Sequence, residues 1–447
     1  MSDRMTEITS SVGRAGEDEL GEQRFDSSPD TSVVGHRIPR LDTLSQVTGD
    51  LKYAGDLSFP GMLYARILRS RYPHARIINI DTREAENMPG VMAAATGKDF
   101  VRNAFGPTFQ DQPVLAVDKV RHMGDGVAAV AAVTPQIAAE ALEKIKVEYE
   151  PLPEVFDPLE AMEETAPKIH EPKSNIYSQY RIQRGDVEKA FAESDRVVEE
   201  RYSSSMVEHL PVETHACIAA WDAKNRLTVW SSLGRITLGR SDIAGILGLP
   251  LSRVRVVSTQ VGGNFGGKNE ITVEPVVAVL AGKAGRPVKS FYTREEEFIS
   301  TTKRHPFVMD YRTGVRSDGR ILARWIRLVA DGGAYCSWSE TTLGKAIVLS
   351  AGPYNIENLH AEAYAVYTNK APSGAMRGFG APQVCFAYES HMDRIAHELS
   401  IDPLHIRLLN SYHEGSISPT GQVLYSVAVK KTLTAAAERF GWKESKR

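Results

Sequence analysis

The sequence predicts an α+β protein with a compact α/β unit in front and a larger mixed domain behind. Two observations carry this. From Val33 to Asp157, short strand-like runs alternate with helical ones across short links, the pattern of an α/β unit. From Ile176 onward, strand-like and helical runs follow one another without regular alternation. The length, 447 residues, allows two to four domains with substantial cores.

Residues 1–32 read as a disordered tail. Ser, Gly, Asp and Glu dominate there, so burial cannot offset the entropy of ordering. Within 33–157, "GMLYARILRS" reads as a strand and "VAAVAAV" (Val127–Val133) as a fully apolar one. Thr134 then stands as N-cap and Pro135 at N1 of a helix, with Ile137, Ala138, Ala141, Leu142 and Ile145 on one face. "KVEYE" alternates as a strand, and the prolines of "YEPLPEVFDP" make an extended exit into a linker, 158–175. The second domain, 176–447, has strands in "RVVEERYSSS", "CIAAWDA", "RLTVWSS", "RVRVVST", "RPVKSFYTR" and "RILARWIRLVAD". Its helix Val273–Gly282 is apolar nearly all round, hence buried. "PQVCFAYESHMDRIAHELS" and "SVAVKKTLTAAAERFG" supply two more helices.

Bulk properties exclude several classes. The net charge of −3 offers no basic footprint for nucleic acid or an anionic membrane. No apolar run approaches the roughly 20 residues of a membrane span. "MSDRMTEITSS" has no apolar signal-peptide core. Cys217, Cys336 and Cys385 lie far apart without CxxC spacing, so no iron–sulfur cluster or structural zinc is expected inside this chain. Few cysteines and no signal point to the cytoplasm.

Two loops stand out. In "QVGGNFGGKNE", Gly262, Gly267 and Lys268 fit G-x-x-x-x-G-K between a strand and an apolar helix, with Asp331 closing "LVAD" as a Walker B candidate. Against an NTPase, Asn269 replaces the Ser or Thr whose hydroxyl binds magnesium. A tight turn that packs closely and binds nothing is the third reading. "NKAPSGAMRGFGAPQ" (Asn369–Gln383) repeats the design, with Phe379 between Gly378 and Gly380 and beside Arg377. Two loops, each a phenylalanine among glycines next to a cation and ahead of a helix, read as two walls of one anion-tolerant pocket. The flanking prolines and single occurrence argue against "RGFG" as an RNA-binding repeat.

"GGNFGGK" and "AMRGFGAPQ" resemble the paired signatures of the molybdenum hydroxylases, the xanthine dehydrogenase and aldehyde oxidase family. "RLDTLSQVTGDLKYAGDL", "GMLYARILRSRYPHARI", "VRHMGDGVAAVAAVTPQIAAEALEKIKVEYEPLPEVFDP", "EHLPVETHACIAAWD" and "KRHPF" match it in order, over nearly everything from Val33 to about Gly421. The resemblance implies an α/β hammerhead-type domain at 33–157 and the first half of a molybdopterin-binding domain at 176–447. It implies a molybdenum–molybdopterin cytosine dinucleotide cofactor, and oxygen from water inserted into an N-heteroaromatic ring or aldehyde. Metal hydroxide attack, hydride transfer to a sulfido ligand and a glutamate base would carry this chemistry. Electrons would leave through Fe–S and FAD subunits.

By the same resemblance Phe265 stacks on substrate and Phe379 meets it edge-on. Gly263, Gly266 and Gly267 approach the metal centre, Arg377 and Gly378 border the pterin, and Lys345 and Asn269 face substrate. Three departures weaken purine specificity: Asn264 stands where a third glycine is usual, Asn269 where purine oxidisers are acidic, and Leu233 where a glutamine is frequent. No metal ligand and no catalytic base is expected in this chain. Glu213 and Glu270 flank the right segments but do not occupy the family's base position. A second molybdopterin-binding subunit is therefore expected to supply the base, in a split similar to bacterial nicotinate dehydrogenase, beside a [2Fe–2S] small subunit and an FAD subunit. A hydroxybenzoyl-coenzyme A reductase-type subunit and a non-catalytic assembly subunit remain the alternatives.

Overall fold

The computed structural model describes residues 6–7, 33 and 36–443. The expected tail, 1–32, lies outside these, apart from Thr6–Glu7, which add a short parallel strand to Ile176–Arg184. Three sheets organise the described residues. The first has seven strands in the order Val254–Ser258, Leu227–Ser231, Ala216–Trp221, Val288–Phe291, Leu63–Arg69, Gly126–Ala132 and Val91–Thr96. Strands from both sides of the expected boundary at 157 thus share one sheet, joined where Leu63 lies opposite Val288 in parallel register. The helix Glu274–Ala284 packs on this sheet with Val276, Val277, Ala278, Leu280 and Ala281 buried, as its all-round apolar sequence requires. Trp221 Nε1 donates to the Ala278 carbonyl at 2.9 Å.

Local chemistry fixes the front unit. Gly126–Ala132 is buried almost throughout. The Thr134 hydroxyl then accepts from the Ile137 amide at 3.2 Å and Pro135 opens the helix Pro135–Leu142. Lys146–Pro151 pairs with Ala75–Asp81 in a small three-stranded sheet. The expected linker, 158–175, is packed rather than loose. Asp157 caps the turn Pro158–Ala161, and the Asn175 carboxamide bonds the Ile169 amide and the Ala161 and Pro167 carbonyls. Ile169 is fully buried as a result.

The six-stranded sheet runs Thr6–Glu7, Ile176–Arg184, Asn358–Tyr367, Ile321–Gly333, Phe307–Val315 and Arg196–Ser204. Helices Ser339–Leu349 and Ala381–Leu399 pack on it and share its core. The two glycine-rich loops lie where the seven- and six-stranded sheets meet. One follows Val254–Ser258; the other joins Asn358–Tyr367 to Ala381–Leu399.

Candidate functional site

Phe265 and Phe379 both sit in the left-handed backbone region, at φ 51° and 46°. Such a conformation is uncommon for any residue with a side chain and persists only where the surroundings impose it. Here each ring is framed by left-handed glycines: Gly263 (φ 106°) and Gly266 (φ 110°) in one loop, Gly378 (φ 104°) and Gly380 (φ 81°) in the other. The loops touch. The Arg377 amide donates to the Phe265 carbonyl at 2.8 Å. A Cβ on Gly266 would come within 2.4 Å of the Ala375 carbonyl, so only glycine permits this contact.

Asn264 does more than replace a glycine. Its Oδ1 accepts from the amides of Gly266 and Lys268, both at 3.0 Å, and its Nδ2 donates to Asn269 Oδ1 at 3.3 Å. An Asx turn therefore shapes the first loop. Sequence reasoning passes over His209 beneath it. Its Nε2 donates to the Ala375 carbonyl at 2.7 Å, and its ring lies 3.0 Å from where a Cβ of Gly267 would stand. One imidazole supports both loops. Its segment, "EHLPVE", carries the family signal; its role depends on Ala375, 166 residues away.

Lys268 is the clearest correction. Its side chain is fully buried and its ammonium pairs with Glu213 at 2.9 Å. The same Glu213 oxygen accepts from the Gly262 amide at 2.8 Å. Burial lowers the Lys268 pKa, opposed by Glu213. This cation closes the loop's base and cannot reach a phosphate. The following helix begins only at Glu274, whose carboxylate already takes the Thr272 amide at 2.7 Å. Asp331 is also enclosed, bonded to Thr368, Lys370 and the Gly333 amide. The phosphate-cradle reading is set aside.

Around Phe379 the structure adds two residues that no local pattern singles out. Trp338 meets its ring edge-on, with centroids 6.4 Å apart and planes at 85°. The Arg235 guanidinium stacks on Trp338 at 4.7 Å. Phe265 is 48% exposed and free to stack. Arg377 is exposed, and Arg304 reaches the Arg377 carbonyl at 3.0 Å, so two guanidinium groups border the second loop. Lys345 is exposed on Ser339–Leu349, the helix that backs Gly380. Leu233 points into the core against Gly239 and Ile271.

Among the described residues no group of three or more His, Cys, Asp or Glu is placed to hold a metal ion. The two loops instead offer backbone and cations to an organic ligand. An anionic, largely planar one fits, because glycine backbone, an exposed ring and the Arg304–Arg377 pair border the same loops.

The comparisons with known proteins agree with this geometry. Residues 169–411 match the molybdopterin cofactor-binding domain, and residues 48–153 the a/b hammerhead domain of aldehyde oxidase and xanthine dehydrogenase. The chain is 40% identical over 416 residues to the nicotinate dehydrogenase large molybdopterin subunit of Eubacterium barkeri, covering 92% of this chain and 97% of that one.

The chain belongs to the molybdenum hydroxylase family.

This molybdenum hydroxylase chain is also 34% identical to the xanthine dehydrogenase molybdenum-binding subunit of Escherichia coli, over 91% of its own length but 56% of that relative. The aldehyde oxidoreductase of Desulfovibrio gigas superposes with a TM-score of 0.86 at 33% identity, covering 90% of this chain and 46% of that one. The chain thus spans nearly all of the first relative and about half of the other two. The α+β class and hammerhead front unit follow, and the chain carries the molybdenum-cofactor-binding part of an oxidoreductase. Among the described residues no helix is long and apolar enough to cross a membrane.

Proposed function

We propose that this chain is the larger cofactor-binding subunit of a cytoplasmic, multi-subunit molybdenum hydroxylase acting on an N-heteroaromatic or aldehyde substrate. One observation carries the reading: two left-handed phenylalanine turns, hydrogen-bonded to each other, with the Arg304 guanidinium bonded to the second. When bound, molybdenum–molybdopterin cytosine dinucleotide supplies a two-electron oxidation with oxygen drawn from water. The chain's own residues bind and orient. Phe265 and Phe379 hold a planar ring, Lys345 and Asn269 face its polar edge, and Arg377 with the Gly263, Gly266, Gly267 and Gly378 backbone borders the cofactor. The near-complete match to a relative named a large molybdopterin subunit supports a second molybdopterin-binding subunit that completes the site and carries the base. A [2Fe–2S] subunit and an FAD subunit would take the electrons onward.

Exposed Val212 and Phe291 line a cleft with Gly262 of the first loop and offer apolar area for the completing subunit. The complex purified through this chain is expected to hold stoichiometric molybdenum and these three partners, whereas the chain expressed alone should oxidise neither nicotinate nor benzaldehyde. Absence of molybdenum from the complex would leave an assembly subunit instead.

The ring pair gives a second expected result. Phe265→Ala or Phe379→Ala should cost about 1–3 kcal/mol in kcat/KM, with molybdenum content unchanged. Unaltered kinetics with a lowered melting temperature would make the rings packing elements only.

A further inference from the structure

Glu270 closes the first loop, five positions after Phe265, and is buried. The Ser337 hydroxyl donates to its carboxyl. Ser337 belongs to a different segment and is itself left-handed, at φ 45°. Its Oγ would lie 2.7 Å from a Cβ on Gly374, so it is tightly enclosed. Its chain neighbour is Trp338, the indole that meets Phe379 edge-on. Trp338 Nε1 is buried without a hydrogen-bond partner among the described residues, so none of them orients the ring through it. Orientation must come from the backbone at Ser337, the Arg235 guanidinium over the ring and the edge-to-face contact with Phe379. One carboxyl thus joins the Phe265 loop to the residue that precedes the ring beside Phe379. Asp111, Asp242 and the Cys336 thiol are the ionisable groups around it, and Asp111 is fixed by the Cys336 amide at 2.9 Å and the Tyr367 hydroxyl at 2.6 Å.

We propose that Glu270 is a positioning residue: its bond to Ser337 sets the orientation of Trp338 and, through it, of Phe379 relative to the Phe265 loop. This rests on the reading that the two rings hold substrate.

The test uses the complete complex, with nicotinate and benzaldehyde as probe substrates. Subtracting the Trp338→Phe spectrum isolates the Trp338 emission from that of this chain's other four tryptophans and of the partner subunits. Glu270→Ala and Ser337→Ala are expected to shift that emission and raise KM about ten-fold, with kcat within about two-fold and molybdenum content normal. Glu270→Gln, which keeps an acceptor oxygen, should restore both. Should Glu270→Ala fail to fold, Ser337→Ala carries the same test, since it removes a single hydroxyl. The proposal falls if these variants leave both emission and KM unchanged, or lower the melting temperature alone. The emission reading needs no turnover. A shifted emission in Glu270→Ala, alongside an unchanged KM in Phe265→Ala, would refute the substrate reading while upholding the link from Glu270 to Trp338.

Discussion

Replacing Lys268 by alanine is expected to destabilise the protein by about 3–5 kcal/mol, the range for breaking a buried ion pair from one side. The side chains of Lys268 and Glu213 are 0% and 8% exposed, and their contact is 2.9 Å. Among the described residues, removing the ammonium leaves Glu213 Oε2 with the Gly262 amide alone, while Oε1 already lacks a partner. A buried carboxylate in that state is costly. Adding Glu213→Gln should recover part of the loss, because the second change removes the stranded charge. Urea unfolding of the single and double variants measures both effects. The same lysine is a phosphate ligand in the rejected NTPase reading. Magnesium-dependent ATP binding to the wild type, abolished in Lys268→Ala without loss of stability, would reinstate that reading.

Glu270→Gln is expected to act in the opposite direction. It should stabilise the protein by about 3 kcal/mol at pH 8 and leave it unchanged near pH 4. Burial is the main reason the Glu270 carboxyl rises from 4.5 to about 7; Asp111 and Asp242 push the same way and the Ser337 bond opposes them. The folded chain therefore holds this proton to higher pH than the unfolded chain. The favourable contribution is complete below pH 4.5, is lost progressively up to about 7, and stays lost above. At about 1.36 kcal/mol per pH unit across that interval, the loss is about 3 kcal/mol. A neutral glutamine avoids it. Unfolding midpoints measured from pH 4 to pH 8 should converge at the acid end. Parallel curves would mean that the carboxyl titrates alike in the folded and unfolded chains.

What could be read from sequence was local. Thr134 and Pro135 announce a helix because cap and first turn lie within a few residues of one another. The apolar run at Val127–Val133 and the apolar helix around Val276 declare burial by themselves. Phe265 and Phe379 were legible because each carries its glycine frame with it, although only the structure shows that both are left-handed and that the loops bond directly. Lys268 misled for the complementary reason. Its partner Glu213 is 55 residues earlier, and without it a lysine after glycines reads as a free cation. Trp338 and Arg235 carry no local pattern, and their roles, like that of His209 within its family-like segment, exist only once distant segments meet. Phe307–Val315 and Asn358–Tyr367 were not singled out as strands. Both are interior strands of the six-stranded sheet, whose partners lie up to about 190 residues away.

The shared seven-stranded sheet has a consequence during synthesis. Leu63–Arg69 pairs with Gly126–Ala132 inside the front unit, but its second neighbour, Val288–Phe291, is made only 225 residues later. At roughly 5–20 residues per second, the ribosome takes on the order of 10–45 s to deliver it. For that interval the nascent front unit carries an open sheet edge, a template for pairing with another chain. Slowing translation between the two segments should therefore lower soluble yield, and holding the edge covered by a chaperone should restore it.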